Sequence, residues 1–442
     1  MILIYSSGIT RRLEYTFRLI FEEILRMEAG FTDSLPEYTA SSGPKINYSH
    51  QNNQSGLFLK PGTLLFKTGI ECPEPDTVDF RGEKYFFRTS GDSFLPFDPF
   101  AATFFLVSRL EEYSDRNPDQ YGRFRHENSI LFKNGLLRKP VVNIWARMVA
   151  AALKEKYPSL FVPEPEFKFL ATIDIDSAWA YRNKGFFRNA GGFVRDLAKS
   201  TFKEAISRVS VLTGFKTDPF DTFDFIDESL TGRESQAIFF ILLGDHSKFN
   251  KNISHKNHEF RELIGRISKK YRTGIHPSFP GNLSHGFILV RTGMQRLKAI
   301  TGKEVLLSRQ HYLYLRFPET YQTLIRAGIT ADYTMGYAGE CGFRAGICTP
   351  FQYYDVLNEQ VTQLSVFPFQ VMDVSLKDYL GLTPDKAWEV IESLMDEVKM
   401  AGGTFVGIWH NETISDEDPW KGYRAVFTRM LKTGFKWADE SM

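Results

Sequence analysis

The fold is read from Phe167-Lys168-Phe169-Leu170-Ala171-Thr172-Ile173-Asp174-Ile175-Asp176, an apolar run that closes on two acids separated by one residue. It reads as a strand, and six further apolar runs follow it at 236–244, 271–276, 305–309, 328–333, 364–373 and 404–410. Helix-like segments separate them. The clearest opens on Thr383 as cap and Pro384 in the first turn, then places Trp388, Ile391, Leu394, Met395 and Val398 along one face. Others cover 259–269 and 318–327. Strands alternating with helices point to an α/β chain with a parallel sheet.

Working upstream, Pro158, Pro163 and Pro165 interrupt any helix and read as a linker. The expected organisation is an α/β extension over 1–157, a Pro-rich linker over 158–166 and the larger unit over 167–442. The extension opens with a short strand at 2–5, followed by Leu13, Phe17, Ile20 and Ile24 on one helical face. Asp98 and Pro99 are a good cap and first-turn pair for an amphipathic helix running to Leu110, with Glu111 and Glu112 beyond it facing solvent. A further helix covers 143–156. The Ser, Asn and Gly-rich segment 41–57 has no apolar period and reads as a mobile loop. The extension is expected to be dispensable for folding of the larger unit.

The chain of 442 residues, 43% hydrophobic with 40 Phe and 19 Tyr, has ample material for buried cores. Lys and Arg number 54 against 53 acidic residues, so there is no global field to attract a nucleic acid backbone. The longest apolar run, 237–243, is far below the roughly 20 residues of a membrane span. No export signal is visible at Met1, which makes the cytoplasm the expected compartment. Cys72, Cys341 and Cys348 lack metal-site or redox spacing and fit reduced thiols.

Nearly every strand ends in ionisable residues: Asp174 and Asp176, Asp245 and His246, His276, Arg309 and His311, Asp332, Asp373, and His410. Polar residues can simply mark strand ends, but in a parallel barrel these ends share one face, where barrel enzymes keep their chemistry. The residues resemble the polysaccharide deacetylase (NodB-like) family over 167–416, and the segment from Asp98 to Tyr113 resembles the extension found in a bacterial subfamily. Thr172-Ile173-Asp174-Ile175-Asp176 is similar to the family's first motif, with the spacing of its deformylase-like branches. Gly274-Ile275-His276-Pro277-Ser278 resembles the second, although Pro280 stands where the family has its second histidine. Ser308-Arg309-Gln310-His311, Val371-Met372-Asp373 and Ile408-Trp409-His410-Asn411 resemble the remaining three. The resemblance implies a distorted seven-stranded (β/α) barrel preceded by a smaller α/β domain, and metal-dependent removal of an acetyl-like N-acyl group from a saccharide-like substrate.

The chemistry can also be argued directly. A catalytic zinc or similar divalent ion takes about three N or O ligands and leaves one position open. Asp176 and His276 supply two. For the third, His311, His285 and His246 compete with the absence of any third histidine, and His311 is favoured because it follows the strand next to that of His276. Asp174 is the candidate base, aligned by Arg309, and His410 the candidate acid, oriented by Asp373. Two other classes stay open: an inactive barrel serving as a glycan-binding or interaction module, and a metal-independent glycosidase using Asp174 with Asp373. The Gly-rich stretch with Gly336, Gly339, Gly342 and Gly346 lacks nucleotide-binding spacing and is expected to line the substrate site with Arg344. His255 and His258 read as solvated surface.

Overall fold

A computed structural model describes residues 1–89, 91–114, 117–198, 201–279 and 286–441. The chain opens with a parallel sheet built from β1 (Ile2–Tyr5), β2 (Ala29–Thr32), β3 (Lys45–Tyr48) and β4 (Leu57–Leu59), in the order β2-β1-β3-β4. The segment expected to be a mobile loop therefore contains β3, buried along its whole length. Its polarity misled because Lys45, Asn47 and Ser49 are buried with hydrogen-bond partners rather than solvated. A hairpin of β5 (Thr77–Phe80) and β6 (Glu83–Phe86) follows. Leu13, Phe17, Ile20 and Ile24 are all buried along the continuous helical stretch Arg11–Ile24.

Asp98 caps the helix Pro99–Val107 by accepting from the Phe100 and Ala101 amides at 3.0 Å. That helix is buried on every side rather than amphipathic. Glu111 and Glu112 do not face solvent. Glu112 is buried and paired with Arg109 at 2.7 Å and with the Arg344 Nε at 2.9 Å, while Glu111 accepts from Arg109 and from the Ile130 amide. Two guanidinium groups in the interior attract the carboxylates there, which no helical pattern reveals.

Among the described residues the larger sheet has nine strands, not the expected seven: β7 (Phe167–Ile175), β8 (Ala237–Ile241), β9 (Arg272–Ile275), β10 (Leu307–Ser308), β11 (Ala331–Asp332), β12 (Phe351–Asp355), β13 (Gln360–Val366), β14 (Val371–Met372) and β15 (Gly403–His410). Their order is β12-β13-β11-β10-β9-β8-β7-β15-β14, parallel except where β12 pairs antiparallel with β13. The expected strand at 364–373 is split into β13, second in the order beside the edge strand β12, and β14, the opposite edge; Pro368, which lacks an N–H, falls in the break. The sheet thus curls without closing between them.

Alternation along each strand divides the side chains. Leu170, Ile238, Phe240, Tyr333, Val406 and Ile408 fill the inside of the curl. Phe169, Ala171 and Ile173 face outward into a second cluster that runs without a break into Phe17, Phe100 and Trp145 of the first 157 residues. The larger unit and the N-terminal segment therefore share one continuous core. No helix among the described residues is long and apolar enough to cross a membrane.

Candidate active site

Strand register sets the site. His410 lies opposite Asp174 across the β15–β7 pair, and Ile175, Ile241, Ile275 and Ser308 form one row across β7 to β10. Asp176, His276 and Arg309 each stand one residue beyond that row, so they emerge at the same level. Asp174 and Asp176, two apart, share a strand face.

Three side chains converge at the mouth. The His276 Nε2 lies 3.3 Å from Asp176 Oδ1, and the His311 Nε2 lies 3.3 Å from Asp176 Oδ2. The donor atoms of Asp176, His276 and His311 all fall within 4.8 Å of one another. The His276 Nδ1 sits 2.7 Å from the Arg309 carbonyl, a contact that requires its N–H there and leaves Nε2 as a lone pair in the neutral ring. Asp176 Oδ1 is buried without a hydrogen-bond donor. Acceptor atoms this close to one another call for a shared cation, and the set fits a divalent ion bound by two imidazoles and a carboxylate. Burial disfavours the charged form of both groups. For Asp176 the neighbouring imidazoles of His311 and His276 outweigh it and hold the carboxyl well below its ordinary value. For His311 burial prevails and lowers the imidazole value, which favours the neutral, metal-binding form.

Two charged pairs flank this cluster. The Arg309 guanidinium, fully buried, donates from Nη1 to Asp174 Oδ1 at 2.7 Å and from Nε to the Tyr333 carbonyl at 3.0 Å, and stacks 4.5 Å above the Phe240 ring. The other oxygen of Asp174 is turned toward the cluster, 3.9 Å from His276 Nε2. On the opposite side, the His410 Nδ1 donates to Asp373 Oδ1 at 2.9 Å, and the His410 amide donates to Asp373 Oδ2 at 2.7 Å. Burial lowers the His410 value, but the Asp373 carboxylate, helped by Asp176 and Asp174, more than reverses this and raises it well above the ordinary imidazole value.

Asp174, Asp176, His276, His311 and His410 line a cavity of 360 Å³ together with Tyr312, Phe249, Tyr379, Lys184, Arg123 and Glu412. Arg123 comes from the N-terminal segment and donates to the Tyr312 carbonyl at 2.8 Å. Glu412 was missed from sequence. Its carboxyl is pushed up to about 7 by burial and by the negative charge of Asp176. Its signal was present in His410-Asn411-Glu412, one more ionisable residue just past a strand end.

Other strand-end residues lie elsewhere. Asp245 and His246 are exposed, with Asp245 paired to Arg296 at 2.9 Å. Asp332 is a buried acceptor for Ser308 and Thr334. Arg344 does not line the cavity; its pairing with Glu112 buries it, and the glycine loop around it is built for close packing, with Gly342 (φ +139) against the Leu137 carbonyl. His258 is exposed. His285 and Pro280 fall outside the described residues.

Residues 2–158 match a family of unknown function (DUF7033). No curated protein matches the chain. Among solved structures, a candidate polysaccharide deacetylase from Mycobacterium smegmatis is similar at 14% identity and a TM-score of 0.40, over 62% of this chain and 86% of that one. A polysaccharide deacetylase from Bacillus cereus is similar at 13% identity and a TM-score of 0.30, over 61% and 87%. A CE4 family pseudoenzyme from Bacillus anthracis is similar at 10% identity and a TM-score of 0.32, over 61% and 63%.

Proposed function

We propose that this protein is a metal-dependent hydrolase that removes an acetyl-like N-acyl group from a saccharide-like substrate. The observation that carries the reading is the meeting of Asp176, His276 and His311 donor atoms within 4.8 Å of one another, between a carboxylate held by Arg309 and an imidazole held by Asp373. Asp176, His276 and His311 would hold the ion, with zinc expected from the donor set. When bound, such an ion would lower the pKa of a water to about 7 and polarise the amide carbonyl.

The remaining steps belong to side chains. Asp174 takes the proton of the attacking water on the oxygen left free by Arg309, whose hydrogen bond to the other oxygen aims the carboxylate. His410, held in its protonated form by Asp373, delivers a proton from Nε2 to the departing amine. Arg309 and Asp373 are positioning residues. The cavity of 360 Å³ lies within the size range of small-molecule sites, and the mixture of aromatic faces and polar groups suits a sugar with its hydroxyls and ring C–H faces.

Elemental analysis of the purified protein, followed by acetate or formate release from a panel of N-acylated sugars, tests the reading. Close to one equivalent of divalent metal and chelator-sensitive release are expected. A metal-free protein that releases no acyl group yet binds a glycan would overturn it in favour of the inactive barrel.

A further inference from the structure

The segment that follows Asp176 is built inside out. The helices Phe186–Ala198 and Phe202–Leu212 face each other through an ion pair, Arg208 to Asp196 at 2.7 Å, which is almost fully buried. Arg208 also stacks 4.6 Å from the Tyr181 ring. The opposite faces carry Phe186, Val194 and Leu197 on one helix and Phe202, Ile206, Val209 and Leu212 on the other, at spacings of three, four or eight residues that place them in stripes, and all are exposed. Phe187 and Phe215 stand beside the stripes, 89% and 88% exposed. Water is the wrong solvent for such a surface, because a contiguous apolar patch of this kind marks a contact with something apolar.

Charge selects the partner. Residues 184–216 hold seven basic side chains and two acidic ones, in a chain whose net charge is +1, so the rest of the molecule is net negative. Lys203 and Lys216 are paired with Asp418 and Glu417 at the surface, which still leaves the segment with a cationic excess. Apolar stripes bordered by Lys and Arg are the pattern of helices that lie in the plane of an anionic bilayer. At 13 and 11 residues, the two helices are too short to span one.

The patch adjoins the cavity. Lys184, just before the first helix, lines it, and Arg188 donates to the carbonyl of Lys251, another lining residue, at 2.9 Å. We propose that this helical hairpin is an interfacial anchor that lays the protein on an anionic lipid surface, with the cavity mouth at the edge of the footprint. The anchor stands independently of the hydrolytic reading, and if both hold, the substrate is one displayed at a membrane.

The test is co-sedimentation of the full chain with vesicles of phosphatidylcholine alone or with one-third phosphatidylglycerol. Binding to the anionic vesicles, weakened by salt, is expected. The triple variant Phe187→Asp, Ile206→Asp, Phe215→Asp, which touches only exposed positions, should lose it by at least about ten-fold with an unchanged thermal midpoint. Asp176→Ala should bind vesicles like the parent, which separates this result from any failure of the hydrolase reading. Absence of binding to anionic vesicles, or a triple variant that binds as the parent does, would overturn the proposal. So would a parent dimer that the triple variant converts to monomer without vesicle binding, since a second copy would then cover the face.

Discussion

Replacing Asp373 by Asn removes one charge while keeping the shape of the side chain that holds His410. In the parent, the His410 Nδ1 donates to Asp373 at 2.9 Å inside a buried site, and the carboxylate is the main reason that the imidazole stays protonated. A hydrogen bond to a charged group contributes about 1.5 to 3 kcal/mol. Losing that charge should lower the His410 midpoint and cost the folded protein a contribution of that order where the imidazole is protonated. Because the folded value lies above the unfolded one, the His410 contribution is complete below the unfolded value near about 6.5 and is lost as pH rises through the folded value. Parent and variant should therefore differ most in unfolding free energy at acidic pH and converge at alkaline pH. The direct assay is a ¹H–¹⁵N NMR titration of the ring, assigned with His410→Gln, which needs no substrate. A midpoint that stays within about half a unit of the parent would refute the electrostatic account of the pair. With a substrate in hand, amide turnover at neutral pH should fall by about 10² to 10³-fold while metal content is unchanged.

Asp176→Ala, His276→Ala and His311→Ala should each lose metal on elemental analysis, whereas Asp174→Asn should retain it and lose turnover by about 10² to 10⁴-fold; metal loss in Asp174→Asn would make that residue a ligand. Glu112→Gln should destabilise the fold by about 3 to 5 kcal/mol in denaturant, because it leaves Arg109 and Arg344 buried without their shared carboxylate. For the same reason, and because the core is continuous across it, a chain starting near residue 158 should be insoluble. Glu412→Gln should raise the thermal midpoint of the metal-free protein at pH 8 but not at pH 4, since a carboxyl pushed up to about 7 destabilises the fold only where it must ionise. Equal midpoints at both pH values would place Glu412 in solvent.

Much of this molecule is legible in order along the chain. The apolar run ending at Asp174 and Asp176, the caps Asp98 and Thr383, and the ionisable residues closing 271–276, 305–309 and 404–410 depend on local pattern, and periodicity reports local pattern directly. The sequence alone therefore determined that the chain alternates strand and helix and which groups stand at strand ends. It pointed to Asp176 and His276 and favoured His311 over His246, but that the first three meet while Asp245 and His246 stay exposed is decided by strand order and register, which set which ends share a level. Nor did it place Glu112, which looks like a solvated helix end until Arg344, 232 residues away in the chain, is folded against it. The break between β13 and β14 and the exposed stripes of Phe186 to Leu212 are likewise tertiary outcomes. An amphipathic helix has the same sequence whichever face it buries, and only its packing against neighbours shows that here the charged face went inward.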